Sequence, residues 1–238
     1  MNALFSLFYP RTCPFCGKYI SDQQIETEHI EWLCLDCWRR LPRTEQDVLR
    51  ENSTEMVLTG GSVARKNVLH LDRAAAYLFY DKGHPIQTVI HKMKYSDRPE
   101  LGYWMGRQAV LDLKNEEFFD EIDYIVPMPL HPKRLRERGY NQAEYIARGI
   151  SEITGIPIDT THVTRVRNTP KQALQNGNDR KTNMENAFAV NHPEQMYKKH
   201  ILLVDDLITT GETMKACLRS MRRFRGATIS VFALCKAR

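Results

Sequence analysis

One stretch of thirteen residues, ILLVDDLITTGET from Ile201 to Thr213, constrains the fold of this chain more than any other. Four apolar residues lead into two adjacent carboxylates, and a threonine-rich turn with one glycine then precedes an amphipathic helix. This order predicts a buried strand, a tight turn and a helix N-terminus. The backbone N–H groups of such a turn bind anions together with the helix dipole. Carboxylates accept hydrogen bonds from hydroxyl groups, either directly or through Mg²⁺. The stretch therefore predicts a site for a ribose that carries a 5′-phosphate.

The residues predicted to bind this sugar phosphate are Asp205, Asp206, Thr209, Thr210, Gly211, Glu212 and Thr213. Both acids are expected at a solvent-facing end of the strand. A glycine in the turn is expected because a residue without Cβ adopts positive φ easily. The alternative is a buried strand that ends in a solvated acidic turn. That alternative explains the apolar run, but it does not explain two acids followed by TTGET.

Four of the six cysteines form two CxxC pairs, Cys13 with Cys16 and Cys34 with Cys37, and 17 residues lie between the pairs. This spacing lets four thiolates converge on one tetrahedral Zn²⁺. A segment of this size needs such a metal to build a stable fold, so the predicted role of the zinc is structural. A disulfide pair or a thiol redox couple is the alternative, and both suit a cytoplasmic protein less well.

Length and charge divide the chain into two predicted parts. The chain of 238 residues can hold one good core and a small accessory module. Adjacent glycines at positions 60 and 61 mark the joint, so we expect a zinc-binding module with its linker in residues 1–60 and the main domain in residues 61–238. The first part carries 6 Lys/Arg and 9 Asp/Glu, and the second carries 28 and 20, a net charge of +8. A basic domain suits phosphates, sugar phosphates or nucleic acid, although a solvated basic surface gives the same count.

No membrane segment or export signal is predicted. No apolar run approaches twenty residues, the length of a transmembrane helix. The N-terminal residues lack the basic region and the cleavage site of a signal peptide. We therefore expect a cytoplasmic protein without membrane insertion.

Strand patterns alternate with helix patterns along the second part of the chain. Strands are predicted over residues 72–80, 122–128, 163–167, 200–206 and 227–234, and helices over residues 86–95, 101–113, 139–154 and 212–225. Such alternation predicts an α/β fold, a parallel sheet with helices on both faces. In these folds the ligand binds at the carboxyl ends of the strands, where the acid pair falls.

Two further segments are rich in basic residues and are predicted to contact an anionic ligand. Residues 124–142 predict a strand followed by a proline-restricted loop whose cations suit pyrophosphate. Residues 165–188 lack helical or strand periodicity, which is typical of a mobile lid. The candidate cations are Lys133, Arg134, Arg136 and Arg138 in the loop, and Lys171 and Arg180 in the lid. The alternatives are a basic surface turn and an ordinary surface loop.

The motifs together resemble known families. From Ile201 to Thr213 the sequence resembles the fingerprint with which type I phosphoribosyltransferases bind phosphoribosyl pyrophosphate. The four-cysteine module, PLHPKRLRERGYNQ, the pattern R…TPKQ…L…R…N…AF and VDDLITTGET follow in the order seen in the ComF family of competence proteins, also called GntX-like. The resemblance implies a phosphoribosyltransferase fold behind a zinc module. It implies that phosphoribosyl pyrophosphate or a related ligand binds at Asp205, Asp206 and Thr209–Thr213. It also implies a role in DNA uptake and natural transformation, with single-stranded DNA and uptake proteins as partners.

The sequence is compatible with two functions. A transferase would bind phosphoribosyl pyrophosphate with Mg²⁺, and an acceptor would attack ribose C1 as pyrophosphate leaves. The sequence offers no acceptor site and no assignable catalytic residue. A binding protein would instead hold the sugar phosphate as a signal or an anchor, while basic residues contact DNA phosphates.

Overall fold

The computed structural model describes residues 11–28, 30–44, 53–60, 62, 64–65, 70–95, 98–113, 117–167 and 187–238. Its helices are α1 (Asp22–Glu28), α2 (Leu35–Arg39), α3 (Ser53–Thr59), α4 (Ile86–Tyr95), α5 (Pro99–Asp112), α6 (Pro132–Arg138), α7 (Gln142–Thr154) and α8 (Glu212–Met221). Its strands are β1 (Leu71–Tyr80), β2 (Tyr124–Pro127), β3 (Val163–Arg165), β4 (Phe188–Val190), β5 (His200–Ile208) and β6 (Thr228–Ala237). Within these residues, every helix is too short or too polar to cross a membrane.

Four parallel strands form the central sheet, in the order β1–β6–β5–β2. Strand β5 lies between two neighbours: Leu203 pairs with Val126 of β2 and with Val231 of β6. Parallel sheets bury both faces, which explains the almost continuous apolar run before the acid pair.

Helices cover both faces of this sheet. Alternate residues of a strand point to opposite faces. Leu202 and Val204 of β5 pack in the core that includes side chains of α4, α5 and α7. Ile201 and Leu203 pack in a second core with side chains of α3 and α8. The predicted α/β fold with helices on both faces is therefore confirmed.

Helices α5 and α7 cross with their backbones in contact. A Cβ atom on Gly106 would overlap the carbonyl oxygen of Ile146, and one on Gly149 would overlap the carbonyl oxygen of Tyr103. Any side chain at either glycine would push the two helices apart. Glycine is therefore needed at both positions because the helices leave no room for a side chain, and not because of an unusual φ angle.

The N-terminal segment continues the sheet at its edge. The N–H of Thr44 donates to the carbonyl of Tyr77 (3.1 Å), and the N–H of Phe79 donates to the carbonyl of Pro42 (2.7 Å). Residues 42–44 thus cover the edge of β1 that would otherwise present unpaired backbone groups.

Aromatic and ionic contacts attach the cysteine-containing segment to α5. The rings of Trp38 and Trp104 lie 5.3 Å apart. Arg43 lies 4.5 Å from the ring of Trp38 and its Nε lies 2.8 Å from the carboxylate of Asp112. The division at residue 60 stays a prediction, but the segment before it packs firmly against the main sheet.

The segment predicted as a basic loop is a helix, α6, so this prediction of local structure is wrong. Pro132 occupies the first helical position, where the missing N–H has no intrahelical partner to lose. His131 caps the helix, since its Nδ1 accepts from the N–H of Lys133 (3.2 Å). Gly139 (φ 82°) ends it in the left-handed conformation.

Two strand predictions also differ from the structure. Strand β5 was expected to end at Asp206, but it continues to Ile208 because its partner β6 extends equally far. Strand β3 was expected among the strands of the parallel sheet. It instead pairs antiparallel with β4 in a separate two-stranded sheet. The lid prediction did not anticipate β4, which begins at Phe188.

Candidate sugar-phosphate site

The two adjacent carboxylates lie within β5 and point to opposite faces of the sheet. Asp206 is only 4% exposed, and its carboxylate lies 2.6 Å from the Nζ atom of Lys94 near the end of α4. Burial acts to lower the pKa of Lys94, but the attraction of Asp206 outweighs it and the pKa is raised. Lys94 therefore stays charged and neutralises Asp206. The prediction of two solvent-facing acids is wrong for Asp206, because α4 covers it.

Asp205 occupies the other face and is half-buried. Its Oδ1 accepts a hydrogen bond from the N–H of Asp206 (2.8 Å). Burial and then the charge of Asp206 raise the pKa of Asp205. Arg165 of β3 lies close enough to Asp205 for the two charges to interact. Burial and the charge of Arg134 lower the pKa of Arg165, and the negative charge of Asp205 acts in the opposite direction. One cation thus flanks the acid pair on each face of the sheet.

The turn after β5 leads into the glycine-capped N-terminus of α8. Thr209 and Thr210 are exposed, and Gly211 (φ 73°) is the N-cap of α8. A glycine cap offers no side chain to the first-turn N–H groups of α8, which suits a turn that binds an anion. Lys215 Nζ donates to the carbonyl of Thr210 (3.3 Å) and pairs with Glu212 (3.0 Å). Glu212 is thereby partly neutralised, and Thr213, half-buried, lies in the first turn of α8.

The four predicted cations of the basic segment lie on α6. Lys133 and Arg136 are exposed, while Arg134 and Arg138 are half-buried. Arg138 lies 5.2 Å from the ring of Tyr95 and is near enough to oppose the charge of Lys94. The C-terminal end of α6 therefore lies near the end of α4 that carries Lys94. The pyrophosphate role of these cations stays a prediction. The lid candidates Lys171 and Arg180 lie outside the described residues.

The four CxxC cysteines come together in the N-terminal segment. Their Sγ atoms all lie within 4.8 Å of one another, and the Sγ atoms of Cys16 and Cys34 are 3.5 Å apart. A tetrahedral site with Zn–S bonds of about 2.3 Å requires sulfur separations of about 3.8 Å. All six cysteines are free thiols. The donor set and the spacing therefore fit a metal ion held by Cys13, Cys16, Cys34 and Cys37.

Local backbone structure positions these thiols. The N–H of Gly17 donates to the carbonyl of Cys13 (2.8 Å) and closes the first knuckle. Cys34 is the N-cap of α2, and Cys37 lies in that helix. A hydrogen bond from the backbone of Lys18 lowers the pKa of Cys16, whereas burial raises the pKa of Cys34 and of Cys37.

Lys94 is the site residue that sequence reasoning missed. It lies 112 positions before its partner Asp206, and the only local signal is a pair of lysines in the last turn of α4. Lysines in a last helical turn are common because they complement the helix dipole. The contact depends on how α4 docks on the sheet, which the sequence pattern does not give.

Comparison with known proteins identifies a family model and several relatives that match this chain. The family model described as phosphoribosyl transferase domain matches residues 137–238. The DNA utilization protein YhgH of Shigella flexneri is 31% identical over 159 residues, which cover 66% of this chain and 69% of that protein. Competence protein ComFC of Bacillus subtilis is 31% identical over 94% of this chain and 78% of its own length. Competence protein F of Haemophilus influenzae is 27% identical over 95% of this chain and 86% of its own length.

Proposed function

Because this chain belongs to the ComF family of competence proteins, we propose that it serves DNA uptake by binding phosphoribosyl pyrophosphate or a related sugar phosphate. The ribose hydroxyls bind at Asp205, and the 5′-phosphate binds in the turn between β5 and α8. Mg²⁺ accompanies the pyrophosphate, and its oxygen ligands include the carboxylate of Asp205. Single-stranded DNA is the macromolecular partner, and it contacts the basic main domain.

The observation that carries this proposal is the pairing of Asp206 with Lys94 next to a glycine-capped helix N-terminus. A buried, charged carboxylate is costly to maintain unless a partner neutralises it. Here Lys94 neutralises Asp206, while Asp205 is half-buried and Thr209 and Thr210 of the turn are exposed. Ligands of parallel α/β sheets bind at that edge.

The metal of the N-terminal segment is Zn²⁺ in this proposal. Four sulfur donors with tetrahedral spacing are typical of a structural zinc site with no open coordination position. Such a site stabilises the fold of the segment that carries it and supplies no chemistry to the acid pair.

Calorimetric titration with phosphoribosyl pyrophosphate and Mg²⁺ tests the proposed ligand. The informative variant is Asp205→Asn. The corresponding change at Asp206 would leave the buried charge of Lys94 without its partner and would disturb the fold. Loss of a charge-assisted hydrogen bond of about 1.5–3 kcal/mol should weaken binding by roughly 10–100-fold. The matched control is Asp120→Asn, an exposed acid that precedes β2 at the opposite edge of the sheet. Equal affinities of Asp205→Asn and the wild-type protein would refute the site.

A second candidate function, transfer of the phosphoribosyl group to an acceptor, is favoured by the cations beside the acids. Arg165 lies within electrostatic reach of Asp205, and Arg138 lies near Lys94, whose own charge is neutralised by Asp206. Fixed positive charge beside a leaving pyrophosphate would stabilise the charge that develops as it departs. Pyrophosphate release measured with a panel of bases, amines and oligonucleotides separates the two functions. Release that requires one acceptor would establish the transferase, and no release with any of them would leave binding alone.

A further inference from the structure

Helix α3 of the N-terminal segment packs against the turn that is proposed to bind the phosphate. Leu58 is 1% exposed and belongs to the core shared with β1 and α8. A Cβ atom on Gly211 would lie 3.2 Å from Leu58 Cδ2 and 3.2 Å from Val57 Cγ1. Two apolar side chains of α3 therefore lie directly over the glycine that begins α8.

This contact restrains the turn in a specific way. Gly211 has φ of 73°, a conformation that glycine also leaves easily because it has no Cβ. The covering side chains limit the alternatives available to the turn. The restraint therefore comes from packing rather than from the sequence of the turn itself.

Helix α3 and the turn depend on each other. With seven residues, α3 is far shorter than the roughly 12–15 residues that an isolated helix needs to be even marginally stable. Its buried face, which includes Thr54, Glu55 and Thr59 as well as Leu58, forms only when the helix is docked. Since docking of α3 and ordering of the turn favour each other, a ligand that orders the turn must also favour docking of α3.

We propose that Leu58 is a positioning residue for the phosphate-binding turn, so that sugar-phosphate affinity depends on the docking of α3. The inference rests on the proposed function, because it concerns the same ligand. It extends that site to a helix that lies about 150 residues earlier in the chain.

The test compares three substitutions in the full-length, metal-loaded protein. Leu58→Ala removes the contact with Gly211. Met56→Ala alters a neighbouring residue of α3 that is 60% exposed. Ile150→Ala truncates a fully buried side chain of α7 in the other core, and so reproduces a loss of stability away from the turn. Affinity for phosphoribosyl pyrophosphate with Mg²⁺ is measured by calorimetry where each variant is folded.

We expect Leu58→Ala to weaken binding by roughly tenfold or more, since small displacements of positioning groups carry large penalties. Met56→Ala and Ile150→Ala should change affinity by less than about twofold, and Leu58→Met should restore most of it because its volume is similar. Hydrogen exchange gives the reciprocal readout: the ligand should slow exchange of the α3 amides in the wild-type protein.

The outcomes separate the two proposals. Equal losses of affinity in Leu58→Ala and Ile150→Ala, or exchange in α3 that the ligand does not change, would overturn the role of Leu58 alone. Absence of binding by the wild-type protein would overturn both the role of Leu58 and the proposed function.

Discussion

The buried ion pair between Lys94 and Asp206 makes a quantitative prediction. The two side chains are 11% and 6% exposed, so neither charge is solvated well without the other. In Lys94→Met, Asp206 escapes the cost of a lone buried charge by binding a proton. From an ordinary pKa of about 3.9, protonation at pH 7 costs about 4 kcal/mol, which sets the upper limit of the destabilisation. Asp206→Asn is expected to cost a similar amount, because neutralising a lysine with a pKa of about 10.4 is equally unfavourable.

The pH dependence of the stability of Lys94→Met tests whether the destabilisation comes from the uncompensated charge of Asp206. In Lys94→Met the folded protein buries an acid without its cation, so folding favours the neutral form of that acid, whereas a carboxyl of the unfolded chain has a pKa of about 3.9. The stability of the variant relative to wild type is therefore greatest below that unfolded pKa and is lost as the pH rises. The destabilisation should shrink to about 1.5 kcal/mol near pH 5. The double variant Lys94→Met/Asp206→Asn has no buried charge at either of these two positions, and it should recover most of the loss.

Urea denaturation of the four proteins at the two pH values measures these quantities. The cycle should give a coupling energy of about 3 kcal/mol or more between positions 94 and 206. Single substitutions that each cost less than about 1 kcal/mol and simply add, at either pH, would refute the idea that Lys94 neutralises Asp206 in the folded protein.

Three further predictions concern packing, metal and pH. Gly149→Ala places a methyl group where α5 and α7 touch, so the free energy of unfolding should fall by about 1–3 kcal/mol; an unchanged thermal midpoint would contradict the crossing. Cys34→Ser removes one of four thiolates, so elemental analysis should show zinc lost from the purified protein; full zinc content would argue against this ligand. Burial and then the charge of Asp206 raise the pKa of Asp205, so the free energy of unfolding should fall as the pH rises and Asp205 ionises. A ligand that needs the ionised carboxylate should bind more tightly at about pH 8 than at about pH 6. Calorimetry at both values checks this, and Asp205→Asn should abolish the difference.

The sequence predicted those structural elements that are consecutive in the chain. From Ile201 to Thr213, strand, turn and helix follow from local composition, and the sheet follows from the alternation of strands and helices. The CxxC spacing likewise predicted a convergence of thiols that the structure contains. In each case the signal lies within a few residues, where backbone geometry alone relates position in the chain to position in space.

The features that were missed depend on distant contacts or on signals with two meanings. Prolines near Pro132 favoured a loop, yet proline at the first helical position and Gly139 after the last one are also signals of a short helix. Predicting the pairing of Lys94 with Asp206 would have needed the position of α4 on the sheet. Predicting the contact of α3 with Gly211 would have needed the path of the N-terminal segment. Periodicity describes which face of an element is apolar, but it does not say which element will cover it.

The contacts of the N-terminal segment also decide how DNA binding should be tested. Removing residues 1–60 would expose the edge of β1 and uncover Gly211, so a fragment that loses DNA binding would not implicate the charge of either part. Charge should therefore be changed in the intact chain. Lys133 and Arg136 are exposed on α6, near the proposed site, and Arg39 and Arg40 are exposed in the acidic N-terminal segment.

We expect Lys133→Glu/Arg136→Glu to weaken single-stranded DNA binding strongly, and Arg39→Glu/Arg40→Glu, with the same change in net charge, to weaken it little. Each lost phosphate contact on a single strand should reduce the slope of log affinity against log salt by about 0.7, hence by about 1.4 for two contacts. Fluorescence anisotropy with a labelled oligonucleotide over a series of salt concentrations measures both quantities. Equal losses in the two variants would show that the strand responds only to total charge, and α6 would then have no special part in holding it.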